Sequence, residues 1–208
     1  MKRTSLVLVL VLFSAAQASA LDAGYRLVDF SGEVEVCAPF SGACGPLKAG
    51  FRPESGSKLR TGAEASADLS TDERLDNVLR VGADTRITFL ETVPLRVALD
   101  EGSLFILKEE QFYPDVRILT RDFLAVIRHG GCKLETSGGR VTLKVFSESV
   151  DIHPKAGNGY AQVPFTVEEG FRYASEGWER MTYPDYMEWQ FWYKKTNERR
   201  DRLPGAAR

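Results

Sequence analysis

From Tyr25 to about Tyr173 the apolar residues of this chain recur at every second position. Val34 and Val36, Ala65, Ala67 and Leu69, Leu79 and Val81, Ile87 and Phe89, and Leu104 and Ile106 follow this rule. So do Val116 and Ile118, Val141, Leu143 and Val145, and Val150 and Ile152. Successive strand side chains point to opposite faces, so the pattern is that of half-buried strands. The intervals carry turn formers: Ser31-Gly32, Glu54-Ser55-Gly56-Ser57, Asp100-Glu101-Gly102-Ser103, Tyr113-Pro114-Asp115, Ser137-Gly138-Gly139 and Ala156-Gly157-Asn158-Gly159. Gly and Asn tolerate positive φ, and Pro presets φ for a turn. Short strands closely punctuated by turns predict an all-β domain. Residues 133–136 and 140–145, joined through Ser137-Gly138-Gly139, predict a hairpin. Alternation leaves a β-solenoid-like stack and a β-roll or sandwich both open.

The two ends of the chain break the pattern. Lys2 and Arg3, an apolar run over residues 6–13 and the small residues Ala18-Ser19-Ala20 follow the order of a secretory signal peptide. The run falls short of the roughly 20 apolar residues a membrane span needs. Residues 1–20 are therefore expected to be removed. The mature protein would then be extracytoplasmic, periplasmic or secreted, with no transmembrane segment. Losing Lys2 and Arg3 takes the formal net charge from -2 to -4. That balance argues against a nucleic-acid partner, which wants a basic surface.

Three cysteines occur. Cys37 and Cys44 flank the turn-rich segment 38–43, and in an oxidising compartment such a pair is expected to form a disulfide. Cys132 sits in a strand pattern and reads as a small buried apolar residue.

Residues 21–175 read as the β domain and 176–208 as a helical tail. From Pro184 to about Arg202 the chain has no internal Gly or Pro. Pro184 suits a first turn and Asp185 the positive helix end. Tyr186, Trp189, Trp192 and Tyr193 share a face at spacings of three and four. Lys194, Lys195, Arg199, Arg200 and Arg202 then make the second half basic. Two roles follow. The aromatic stripe docks on the β domain, or the helix meets an anionic envelope surface or a partner through Tyr186, Trp189, Trp192, Tyr193, Lys194, Lys195, Arg199 and Arg200. Deleting residues 184–208 is expected to leave the β domain folded.

Catalytic groups are sparse. His129 and Cys132 are close in sequence, but residues three apart on a strand face opposite ways. Only a bulge at Gly130-Gly131 would unite them as a nucleophilic pair. His153, before Pro154, is expected at an exposed strand end. Cys37, Cys44, Cys132 and His129 match no common zinc spacing, so no metal or cofactor is expected. The carboxylates Glu33, Glu35, Asp68, Asp72, Glu73, Asp76, Asp100 and Glu101 read as solvated turn and strand-face groups.

A family resemblance is carried by the turn glycines and strands together. Gly32-Glu33-Val34-Glu35-Val36 resembles the first strand of the FecR domain family of bacterial extracytoplasmic proteins. Leu47-Lys48-Ala49-Gly50 and Gly56-Ser57-Lys58-Leu59-Arg60-Thr61-Gly62 are similar to its "L-x-x-G … L-x-T-G" segment. Residues 65–69, 85–89, 99–104, 118–120 with 125–128, and 163–170 resemble its later strands. Departures occur at His129-Gly130-Gly131-Cys132, where the family carries "G-T", and at Glu148-Ser149-Val150, which lacks its Gly. The resemblance spans residues 25–173 and implies a β-solenoid-like or β-roll domain in the envelope. Its relatives are the outer halves of transmembrane anti-sigma regulators. This chain has neither the cytoplasmic sigma-binding segment nor a spanning helix, so that role is not expected to transfer. The function expected is a non-enzymatic module binding an envelope protein or glycan. The alternatives are a sensory regulator acting with a separate membrane partner in sigma/anti-sigma-type signalling, and a hydrolase using Cys132 with His129 or a carboxylate pair.

Overall fold

The computed structural model describes residues 24–72, 74–174 and 177–202. The signal segment expected at 1–20 lies outside them. Strands dominate the described residues, and one helix follows them.

The strands form two stacked layers. One layer pairs, in order, β1 (Arg26–Ser31), β5 (Ser66–Ser70), β6 (Asn77–Val81), the second half of β8 (Leu95–Lys108), β11 (Gly130–Ser137), β12 (Arg140–Ser147), β16 (Phe171–Ala174) and β17 (Gly177–Arg180). The other pairs β3 (Cys44–Pro46), β2 (Val34–Cys37), β4 (Lys58–Thr61), β7 (Arg86–Thr92), the first half of β8, β9 (Val116–Leu119), β10 (Phe123–Ile127), β13 (Ser149–Ala156) and β15 (Phe165–Glu168). A short β14 (Gly159–Tyr160) folds back on the end of β13. Among the described residues, β8 with β9 is the single parallel ladder. A β-helical solenoid stacks its coils in parallel, so the arrangement adopted is the antiparallel, sandwich-like one.

Alternation builds the core. Leu69, Leu79, Leu104, Leu134 and Val145 of the first layer meet Leu59, Phe89, Val97, Ile118 and Ile152 of the second, all fully buried. A one-residue slip would turn each set outward, so the registers are tightly specified. The expected hairpin is β11–β12, with Ser137 opposite Arg140. Gly138 (φ 55°) and Gly139 (φ 80°) take both left-handed positions of its two-residue turn.

Asp100-Glu101-Gly102-Ser103 is not the turn its composition predicts. It is a kink inside the continuous strand β8, which passes there from one sheet to the other. Gly102 makes the crossing possible at φ 87°. A side chain there would sit 2.4 Å from the Thr85 Cα. Polar groups tie the kink down. Ser103 N donates to Thr85 Oγ1 (2.9 Å), Thr85 N to Thr61 Oγ1 (2.9 Å), and Thr61 Oγ1 to the Gly82 carbonyl (2.5 Å).

The helix, α1 (Tyr183–Arg200), is a third layer on the outer face of the β1–β17 sheet. Its observed limits lie within two residues of the predicted ones.

Candidate partner surface on the C-terminal helix

The helix begins with a reciprocal cap. Thr182 N and its hydroxyl each donate to Asp185 Oδ2 at 2.8 Å, and Pro184 occupies the first turn. From Asp185 onward the residues at spacings of three and four face the sheet. Trp189 and Trp192 are buried, Tyr186 and Tyr193 half-buried. Trp189 stacks on Phe146 of β12 (centroids 4.6 Å, 8°) and on Tyr193 (5.7 Å, 12°). Trp192 meets Phe105 of β8 at 5.2 Å. Gly131 of β11 leaves the notch for the Trp189 indole, since a Cβ there would lie 2.3 Å from it. The stripe completes a second apolar core with Leu75, Val78, Leu107 and Met181. Deleting residues 184–208 would therefore strip the cover from Phe105 and Phe146.

Ion pairs frame this aromatic contact. At the helix start Lys144 Nζ meets Asp185 Oδ1 at 2.8 Å, and Lys133 Nζ meets Glu188 Oε1 at 2.6 Å and Glu135 at 3.0 Å. At the far end Arg199 meets Asp68 at 2.6 Å and Asp29 at 3.6 Å. Arg200 meets Glu109 at 2.8 Å and donates to the Leu75 carbonyl at 2.5 Å. The Tyr193 hydroxyl adds a bond to Glu109 at 3.1 Å. Burial pushes Asp68 up from its ordinary range even with Arg80 and Arg199 beside it.

For Asp185 the balance has the opposite sign. Burial opposes its charge, but the Lys144 ammonium and the Thr182 donors outweigh burial and hold the carboxyl at about 2. A folded value below the unfolded one adds stability that is complete above the unfolded value, 3.8, and is lost as pH falls towards 2. The gap corresponds to about 2 kcal/mol. Urea unfolding across this acid range is expected to show that loss, and Asp185→Asn to flatten it.

The eight residues assigned to a partner from sequence thus divide. Tyr186, Trp189, Trp192, Tyr193, Arg199 and Arg200 turn to the sheet, while Lys194 and Lys195 stay exposed. The outward face carries a second stripe that sequence reasoning passed over. Tyr183, Met187 and Phe191 are 75%, 44% and 63% exposed. Their spacing of four was the available signal. The Lys195 ammonium lies 4.4 Å from the Phe191 ring centroid.

The remaining candidates are placed as follows. Cys37 and Cys44 face each other across the β2–β3 ladder and form the expected disulfide. Cys132 is fully buried in the sandwich core, and burial pushes its thiol far above the ordinary range. A thiolate nucleophile is therefore disfavoured there. His129 is half-buried, with Nε2 3.1 Å from the Glu109 carbonyl and Nδ1 3.7 Å from Glu148. His153 is half-buried inside β13, not at an exposed strand end, because its Nδ1 is held 2.8 Å from the Ala161 carbonyl. Among the described residues no group of three His, Cys, Asp or Glu is arranged to hold a metal ion. Asp68 is buried and ion-paired, not solvated as expected. Glu101 is exposed and paired with Arg86, and Glu73 lies outside the described residues. Among the described residues no helix is long and apolar enough to cross a membrane.

No family model and no curated protein matches the sequence. Two crystal structures of a proposed anti-sigma factor from Parabacteroides distasonis align with the chain, each with a TM-score of 0.48, at 10% and 11% identity. Each alignment covers 64% of this chain, and the chain spans 64% and 63% of those proteins, less than two thirds of their length.

Proposed function

We propose that the chain is a non-enzymatic, FecR-like binding module of the bacterial envelope, working outside the cytoplasm and engaging an envelope protein or glycan. The observation that carries this reading is the outer stripe of Tyr183, Met187 and Phe191 on a helix whose inner face is locked to the sheet. Aromatic anchors on a pre-ordered element bind without the cost of ordering it, and such anchors dominate interfaces. Lys194 and Lys195 give the stripe a basic end.

Other features support the setting and the class. The Cys37–Cys44 disulfide suits an oxidising compartment. Burial of Cys132 speaks against a thiol hydrolase. Of the glycines in the segments that resemble the family, Gly32, Gly50, Gly56, Gly102 and Gly170 have positive φ, which favours glycine, and Gly62 does not.

The triple variant Tyr183→Ser, Met187→Ser, Phe191→Ser is expected to melt within a few degrees of the parent, because these side chains stand in solvent. It is also expected to lose most of the partner captured from the native envelope in a pull-down. Undiminished capture would remove the helix from this reading. A captured partner with a transmembrane segment would turn it towards the sensory regulator.

A further inference from the structure

The strand that crosses between sheets also opens a cleft. On β8, Ala98 pairs with Leu119 of β9 in one sheet, and Gly102 pairs with Thr136 of β11 in the other. The two neighbours of β8 must therefore part between these points. The gap is a groove of about 310 Å³ lined by Ala98, Leu99, Asp100 and Leu119, by Thr120 and Arg121, and by Thr136 and Tyr160. That volume lies at the lower end of small-ligand sites, roughly 300–1,000 Å³.

We propose that this cleft binds one ring of a neutral saccharide. The lining gives the chemical class. Ala98 and Leu119 supply apolar surface, and the Tyr160 ring is held in place by its hydroxyl, which donates to the Thr120 carbonyl at 2.9 Å. A sugar ring has an apolar C–H face that rests on such surface. Around it stand an acceptor and a donor fork. The Asp100 carboxylate is exposed, and the Arg121 guanidinium is steadied by Asp122 at 3.3 Å. At the end of β11 the buried Thr136 hydroxyl has no hydrogen-bond partner within the protein, a polar group that ordinarily finds one. An anion would meet Asp100 beside an Arg121 already paired with Asp122, whereas a polyol offers a hydroxyl donor to Asp100 and a hydroxyl acceptor to Arg121. A neutral polyol satisfies both groups.

The proposal deepens the glycan side of the function above but uses a different face, so the two fail separately. The test is nuclear magnetic resonance of the purified protein titrated with maltotriose, cellotriose and the trimer of N-acetylglucosamine. At least one is expected to shift the amides of residues 98–100, 119–121 and 160 at millimolar concentration. Arg121→Ala and Asp100→Ala, both at exposed positions, are each expected to weaken that binding about tenfold, the loss of one charge-assisted hydrogen bond. Phe191→Ser on the helix is expected to leave it unchanged. The proposal is overturned if none of the three sugars moves these amides, if the shifts map elsewhere, or if inorganic phosphate moves them more strongly than any sugar.

Discussion

Gly102→Ala is expected to destabilise the protein by about 3–5 kcal/mol, the combined scale of overpacking and a strained left-handed residue. The argument is local. Gly102 has φ 87°, a conformation side chains disfavour. Its Cβ would lie 2.2 Å from Thr85 Oγ1, 2.4 Å from the Thr85 Cα and 2.7 Å from the Asp84 carbonyl oxygen. Two of these are backbone atoms, so no rotamer change relieves the contact. Thr85 is itself held by Thr61 and Ser103, so moving it breaks the polar ties of the crossing. At roughly 2–4 °C per kcal/mol for a chain of this size, the thermal midpoint should fall by about 6–20 °C. Gly157→Ala is the control. Gly157 also has positive φ (56°), but nothing lies within 4 Å of its Cβ position, so only about 1 kcal/mol is expected. Thermal melts followed by circular dichroism separate the two. Equal, small shifts would mean that β8 does not cross between sheets at Gly102.

Trp192→Ala is expected to cost about 3–5 kcal/mol, the range for emptying a buried tryptophan site. Trp192 is 3% exposed and meets Phe105 and Trp189. Its removal opens the centre of the second core, and the helix loses its hold between the ion pairs at its two ends. Trypsin should then cut rapidly after Lys194, Lys195 and Arg199. Trp192→Phe should cost much less. It keeps most of the apolar contact and removes an indole N–H that has no partner within the protein. A loss below about 1 kcal/mol for the alanine variant would show a loosely attached helix.

Much of this architecture was legible in the residues because it rests on local rules. Alternation marked the strands, Gly138-Gly139 the β11–β12 turn, and Pro184 with its uninterrupted run the helix. The disulfide followed from two cysteines around a short turn. What stayed hidden depends on distant partners. Asp100-Glu101-Gly102-Ser103 has the composition of a turn, and only Thr85, on another strand, makes it a crossing. Lys133 and Lys144 look like solvent-facing strand residues. Lys133 is buried and Lys144 half-buried because the sheet's second face lies under the helix, where Glu188 and Asp185 receive them. For the candidate site, the large aromatics of the inner stripe drew attention to the face that the fold consumes. Tyr183, Met187 and Phe191, smaller in number and set apart by single turns, form the face that remains.

The central claim is that α1 is a layer of the fold, with one face spent on the sheet and the other left for a partner. Hydrogen exchange followed by mass spectrometry tests it directly. Amides of residues 187–199 are expected to exchange as slowly as those of β11 and β12, through opening of the whole structure. Exchange of the helix within seconds, while β11 and β12 stay protected, would contradict it.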